Sequence, residues 1–193
     1  SDPPSGDGGY LRSSFASLPS VGTPESQNMQ IKSSSILITG GSSGLGAACV
    51  KTLVQLGAGV VIADLAPPRD EPTGDLADRV AFVQTDVTSE DGVRAAIAAG
   101  EERFGPLRGA VICAGVLQAE RVLGRDGPAS LEAFRRVIDI NLIGTFNSVR
   151  LAAEAIARSE PDADGERGAI VMTSSVAAFE GQVGQAAYAA SKG

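Results

Sequence analysis

Directly after a short apolar run, Ile36–Thr39, the chain carries Gly40-Gly41-Ser42-Ser43-Gly44-Leu45-Gly46. Residues 47–57 follow with helical spacing and stop on Gly57. A strand, a tight Gly-rich turn and a helix in that order leave few folds open, because the helix must carry the chain back to a second strand parallel to the first. The later sequence repeats the alternation. Apolar runs at 60–65, 79–87, 109–115 and 168–175 predict further strands. Helical patterns fall at 89–105, with Ser89 as a predicted N-cap, at 130–158, and from Ala186 to Gly193.

These segments predict an α/β, Rossmann-like doubly wound parallel sheet in a single domain. Composition agrees: hydrophobic residues make up 43% and aromatic residues 4%. Such a core is built from Ala, Val, Ile and Leu, which suits helices packed on a parallel sheet. Residues 1–33 differ. They are rich in Ser, Gly and Pro over 1–28, lack a sustained period, and predict a disordered tail or expression remnant, with Met29 as a candidate natural start. The domain is expected over 34–193.

Charge and residue usage exclude several chemistries. The net charge of -7 argues against a nucleic-acid partner. No apolar run approaches the ~20 residues that span a bilayer, so no membrane partner is expected. With 0 histidines the chain holds no Ser-His-Asp triad and no His-based zinc site, and no metal is expected. The 2 cysteines, Cys49 and Cys113, make no disulfide framework and favour a reducing, intracellular compartment, cytoplasmic or mitochondrial.

The Gly-rich turn lets backbone approach a pyrophosphate, and the helix behind it offers unpaired N–H groups and the positive end of its dipole. Gly40, Gly44 and Gly46 carry that reading. Alone, such a turn is as often an ordinary strand–helix connection. Asp64 ends the second strand, 18 residues past Gly46. A carboxylate there accepts from a ribose hydroxyl and repels a 2′-phosphate, favouring NAD over NADP. Arg69 follows two prolines and is discounted as a phosphate ligand.

Tyr188 and Lys192 lie four apart on one helix face, and Ser175 precedes Tyr188 by 13 residues. A Tyr-x-x-x-Lys pair alone is common on helices. In this order, behind the Gly-rich turn and Asp64, it points to alcohol oxidation. Without histidine, a phenol must take the hydroxyl proton. Its ordinary pKa near ~10 is high, and an ammonium one turn away stabilises the phenolate. Ser175 can hydrogen-bond the substrate oxygen as charge develops.

The Gly-x3-Gly-x-Gly spacing, Asp64 and the Ser175/Tyr188/Lys192 set resemble the short-chain dehydrogenase/reductase family. The resemblance implies a catalytic set of Ser175, Tyr188, Lys192 and Asn141, with Asn141 holding a water or backbone group that links Lys192 to solvent. It implies cofactor contacts at Ser43, Leu45, Asp86, Val87, Cys113, Gly115, Tyr188 and Lys192, with Asp86-Val87 beside the adenine. Ile112 stands where the family usually has Asn, a departure. Cys113 is expected to wall the cofactor site rather than act as a nucleophile. SSVAAFEGQVGQAAYAASKG (174–193), DINLIGTFNSVRLAAEAI, the EPDADGERGAIV loop and the extra stretch 116–130 resemble more closely the type 2 3-hydroxyacyl-CoA (type 10 17β-hydroxysteroid) dehydrogenase branch.

That branch implies reversible oxidation of a secondary alcohol, 3-hydroxyacyl-CoA first and hydroxysteroids next, by a homotetramer. Gln182 and Gln185 become candidate pocket groups, with loop-surface glutamines as the equal alternative. The sequence reaches Gly193 one residue past Lys192 and is expected to be C-terminally truncated relative to the family. The expected consequences are a frayed final helix, an uncovered face on the central strands and loss of turnover and of assembly in this chain, with activity retained by the full-length parent. The rival readings are a catalytically inactive NAD-binding fragment and an interaction subunit.

Overall fold

The computed structural model describes residues 30–69 and 73–193, so most of the expected tail lies outside the described residues. The order of elements is β1 (Ser35–Thr39), α1 (Gly44–Gln55), β2 (Gly59–Asp64), β3 (Val80–Gln84), α2 (Glu90–Phe104), β4 (Leu107–Ile112), a ribbon of β5 (Leu123–Gly124) and β6 (Gly127–Pro128), α3 (Leu131–Ile138), α4 (Gly144–Ala157), β7 (Ala169–Met172) and α5 (Ala186–Lys192). Strands β3-β2-β1-β4-β7 form one parallel sheet in that spatial order. The order reverses between β1 and β4. In open sheets of this kind the crevice at the strand C-termini beside such a reversal is where ligands sit.

Strand alternation builds two cores. Leu37, Val61 and Ala110 share a register and face one side, where Val93, Ala96 and Ile97 of α2 and Leu151, Ala152 and Ala155 of α4 cover them. Ile36, Ile38, Val60 and Ile62 face the other side, against Val50 and Val54 of α1. β1 is buried at every position, as a central parallel strand requires. The expected uncovered face falls at the edge strand and not at the sheet centre. Val171 and Met172 of β7 are 57% and 58% exposed, while α1 covers β1 and β2. Ser89 caps α2 as expected, accepting from the Gly92 N–H at 3.1 Å. Arg94 bridges Glu90 and Glu154, and Arg150 also pairs with Glu90, tying α2 to α4. Hydrogen bonds from Arg150 and Arg94 hold the Glu90 carboxyl below its usual range.

Three strands end three residues earlier than their apolar runs suggest, each for a local reason. β3 stops at Gln84. Thr85 still donates to the Asp64 carbonyl at 2.8 Å, but the Asp86 carboxylate then accepts from the backbone N–H and hydroxyl of Thr88 at 2.9 and 2.7 Å and turns the chain. β4 stops at Ile112, where the Cys113 N–H bonds the Thr39 carbonyl at 3.0 Å and the Thr39 hydroxyl accepts from Ala114 at 3.3 Å. β7 stops at Met172, opposite the end of β4. Ser175 therefore lies beyond the strand, not at its end. Its hydroxyl caps a 3-10 turn over Val176–Ala178. No helix among the described residues is long and apolar enough to cross a membrane.

The single helix expected over 130–158 is also interrupted. Residues Asp139–Ile143 form a π-helical turn between α3 and α4. Such a turn adds a residue to the helix and is frequent at functional sites. Here it carries Asn141.

Candidate active site

The Gly-rich turn folds back on itself between β1 and α1. A Cβ on Gly46 would lie 2.1 Å from the Gly40 carbonyl oxygen, so the helix can start here only without a side chain. Gly40 has φ +67°, and a Cβ on it would meet Ala114 N at 2.7 Å. Gly44 also has positive φ, +53°, with open space on its side-chain side. Ser43 precedes α1 without capping it through its side chain, and the first turn holds no acid. The first N–H groups of α1 thus have no side-chain cap at the positive end of its dipole, a cradle for an anion.

Asp64 closes one side of this cradle. Its Oδ2 accepts from Ser42 N–H at 3.0 Å and its Oδ1 from Leu65 N–H at 2.7 Å. A carboxylate has about four lone-pair sites, so each oxygen keeps capacity for a ribose hydroxyl. Asp64 also fastens the turn to the end of β2. A cleft of about 660 Å³ gathers Gly40, Ser43, Gly44, Leu45, Gly46, Asp64, Asp86, Val87, Cys113 and Gly115 on its walls. Arg69 lines a second hollow of about 830 Å³, beside Lys51 on the other flank of α1. Neither hollow is lined by Ser175, Tyr188, Lys192 or Asn141; the 660 Å³ cleft reaches Gly115, beside which Asn141 and Lys192 lie. Burial, and next the neighbouring Cys49, push the Cys113 thiol above its ordinary range, against the opposing field of Lys192.

Beyond Gly115, Lys192 Nζ donates to the Thr173 carbonyl at 3.0 Å and lies 5.8 Å from the centre of the Tyr188 ring. A Cβ on Gly115 would meet Asn141 Oδ1 at 3.2 Å and Lys192 Nζ at 3.9 Å, so the three converge there. Asn141 is buried. Its Oδ1 accepts from Val116 N–H at 2.7 Å, and its Nδ2 donates to the Val116 carbonyl at 2.9 Å and the Ser191 hydroxyl at 3.0 Å. The backbone group that Asn141 holds is that of Val116, and among the described residues no hydrogen bond carries on from it to Lys192. Among the described residues no hydrogen bond joins Asn141 to Lys192, or Ser175 to Tyr188. The Ser175 oxygen accepts from Ala177 N–H at 3.2 Å, which leaves its proton to donate. Gln182 and Gln185 do not line the cleft. Their backbones build the entry to α5, with Gln185 N–H on the Gln182 carbonyl at 3.0 Å.

The sequence reading missed several residues that hold this site. Thr173 holds Lys192 and Ser191 braces Asn141, and no pattern singled out either one. Asn147 had a signal. It falls on the same helical stripe as Leu151 and Ala155, a polar residue at a core position. It is buried and donates to the Val87 carbonyl at 2.9 Å, fixing the Asp86-Val87 wall. Asn147→Ala leaves that carbonyl unpaired and is expected to lower stability by about 1–3 kcal/mol. Urea denaturation measures it, and an unchanged midpoint would show the bond to be dispensable.

The model of the short chain dehydrogenase family matches residues 34–193. The chain belongs to the short-chain dehydrogenase family. Among its relatives in that oxidoreductase family is the 3-hydroxyacyl-CoA dehydrogenase type-2 of Bos taurus, 52% identical over 161 residues, covering 81% of this chain and 61% of the relative. The protein of the same name from Drosophila melanogaster is 48% identical over 165 residues, covering 84% of this chain and 65% of the relative. The crystal structure of 3-hydroxyacyl-CoA dehydrogenase type-2 from Mycobacterium avium superposes with a TM-score of 0.79 at 48% identity, covering 86% of this chain and 65% of that one. The chain thus spans less than two thirds of the length of these relatives.

Proposed function

We propose that this chain is the cofactor-binding and catalytic portion of an NAD-dependent dehydrogenase that interconverts a secondary alcohol and a ketone. A 3-hydroxyacyl-CoA is the first substrate class and a hydroxysteroid the second. The observation that carries the reading is the approach of Asn141 Oδ1 and Lys192 Nζ to Gly115, a wall of the same cleft that holds the Gly-rich cradle and Asp64. The residues fit a dinucleotide: an open Gly44, uncapped helix N–H groups and spare acceptor capacity on Asp64. Residues 34–193 form the domain, behind a tail, and the complete protein works as a homotetramer in the cytoplasm or mitochondrion.

Bound NAD supplies the hydride acceptor. Tyr188 takes the hydroxyl proton as the carbinol hydrogen leaves. Ser175 donates its free proton to the substrate oxygen, where charge changes most during the reaction. Lys192, held by Thr173, keeps a positive charge beside the phenol. Asn141 fixes the backbone at Val116 and the start of α5, so that the helix bearing Tyr188 meets the cleft in one register.

The test is NAD titration of the purified complete protein, followed by NADH formation with a 3-hydroxyacyl-CoA and with a hydroxysteroid. NAD binding with turnover of the first is expected. NAD binding without turnover of any secondary alcohol would replace the enzyme with a binding protein. Asp64→Ser probes cofactor choice. It removes a charged acceptor, and NAD affinity is expected to fall about 10-fold or more while discrimination against NADP narrows. Parallel titrations with both dinucleotides measure this, and an unchanged ratio would remove Asp64 from the cofactor site.

A further inference from the structure

Asp64 ends β2, and the residues after it have little to pack against. Leu65 is 62% exposed, and Ala66 and Pro67 are exposed as well. Hydrogen bonds hold this segment instead. The Asp64 carbonyl accepts from Thr85 N–H at 2.8 Å, the Leu65 carbonyl from Gln84 Nε2 at 3.1 Å, and the Ala66 carbonyl from the Ser42 hydroxyl at 2.6 Å. Asp64 and Leu65 line the cofactor cleft, whereas Ser42 and Gln84 do not. We propose that the Ser42 hydroxyl and the Gln84 amide form a clasp that aims the Asp64 carboxylate at the adenosine ribose of the dinucleotide, which makes both of them positioning residues for cofactor choice. This rests on the NAD reading above.

The clasp works through the two N–H groups that meet the carboxylate. Oδ2 accepts from Ser42 N–H at 3.0 Å and Oδ1 from Leu65 N–H at 2.7 Å. Ser42 therefore grips both ends of the segment, Asp64 by its N–H and Ala66 by its hydroxyl, across 22 and 24 positions of sequence. Gln84 grips the middle from β3. Thr85 fixes the peptide plane that carries the Leu65 N–H, Gln84 the plane after it, and Ser42 the one after that. With the segment pinned, each carboxylate oxygen keeps its backbone donor, and the remaining lone pairs are held in one orientation before the cofactor arrives. Such preorganisation lowers the ordering cost of binding.

The same bonds engage the donors that an anion would need. Ser42 N–H and Leu65 N–H go to Asp64, the Ser42 hydroxyl proton goes to Ala66, and Pro67 and Pro68 have no N–H. A ribose hydroxyl meets an oriented acceptor at this rim. A 2′-phosphate meets acceptors of its own kind. The clasp thus favours NAD over NADP by geometry as well as by charge.

Equilibrium titration of the complete protein with NAD and with NADP tests this. The variants are Ser42→Ala, Gln84→Ala, and each of them combined with Asp64→Ser. NAD binding is expected to weaken about three- to tenfold in Ser42→Ala and about threefold in Gln84→Ala, the loss of one neutral hydrogen bond, with NADP affinity unchanged within about twofold. In the Asp64→Ser background both losses are expected to disappear, because the clasp acts through the carboxylate. A single variant with unchanged NAD affinity would remove its residue from the clasp, and two would overturn it. Equal losses for NAD and NADP, or equal losses with and without Asp64, would also overturn it, since a brace on the turn as a whole gives both. If Ser42→Ala does not fold, Gln84→Ala decides alone, its position being exposed. Unsubstituted protein that fails to bind NAD overturns the cofactor reading itself. Unsubstituted protein that binds NAD, with variants whose losses ignore Asp64, overturns the clasp and leaves that reading standing.

Discussion

Tyr188→Phe is expected to reduce turnover by a factor on the order of 10²–10⁴, the usual contribution of one positioned acid–base group. NAD affinity should change little, because the lost atom is the one proposed to move the proton and the ring is kept. The ring also keeps its place 5.8 Å from the Lys192 ammonium. Steady-state rates with a 3-hydroxyacyl-CoA, beside a direct NAD titration, separate the two effects. A variant retaining most of its rate would remove Tyr188 from the chemistry. One that lost NAD binding in parallel would make it a cofactor-positioning residue instead. Lys192→Met is the companion measurement. Nζ is held by the Thr173 carbonyl, so its loss frees that carbonyl as well as removing a charge. Its deficit should fall on NAD affinity and rate together.

Gly46→Ala is expected to have the largest structural effect. The new methyl group would be placed 2.1 Å from the Gly40 carbonyl oxygen, 2.7 Å from its carbon and 3.0 Å from Gly41 Cα. All three are backbone atoms, so no side chain can swing aside. Overpacking of this kind costs about 1–3 kcal/mol and sometimes more. The strain lands on the turn that would hold the pyrophosphate. Stability should fall by about 3 kcal/mol and NAD affinity should be lost. Gly44→Ala is the contrasting substitution. Its Cβ meets open space, so its cost is limited to a positive φ of +53°. Thermal unfolding and NAD titration of both variants check the difference. Equal effects would mean that backbone conformation, and not close packing, governs the turn.

Much of the site was legible because it is written in short local patterns. Glycine at 40, 44 and 46 marks a turn that side chains cannot enter. Tyr188 and Lys192 share a helix face whatever the rest of the fold does. Asp64 follows from its distance along a strand-turn-helix unit. The residues that support these groups were harder to read. Thr173 meets Lys192 through a backbone carbonyl, and Ser191 meets Asn141 across 50 positions of sequence. Neither contact leaves a periodic trace.

Local pattern thus determined the alternation of strands and helices, the parallel sheet, the Gly-rich turn and the placing of Tyr188 and Lys192 on one helix face. It did so because helix and strand periods and glycine's lack of a Cβ act within a few residues. Tertiary structure decided where strands end, because a ladder continues only as far as its neighbour and yields where Asp86, Thr39 or Ser175 offers a competing hydrogen bond. It decided the π-helical turn at Asn141, whose buried amide finds its partners only when α5 and Val116 are in place.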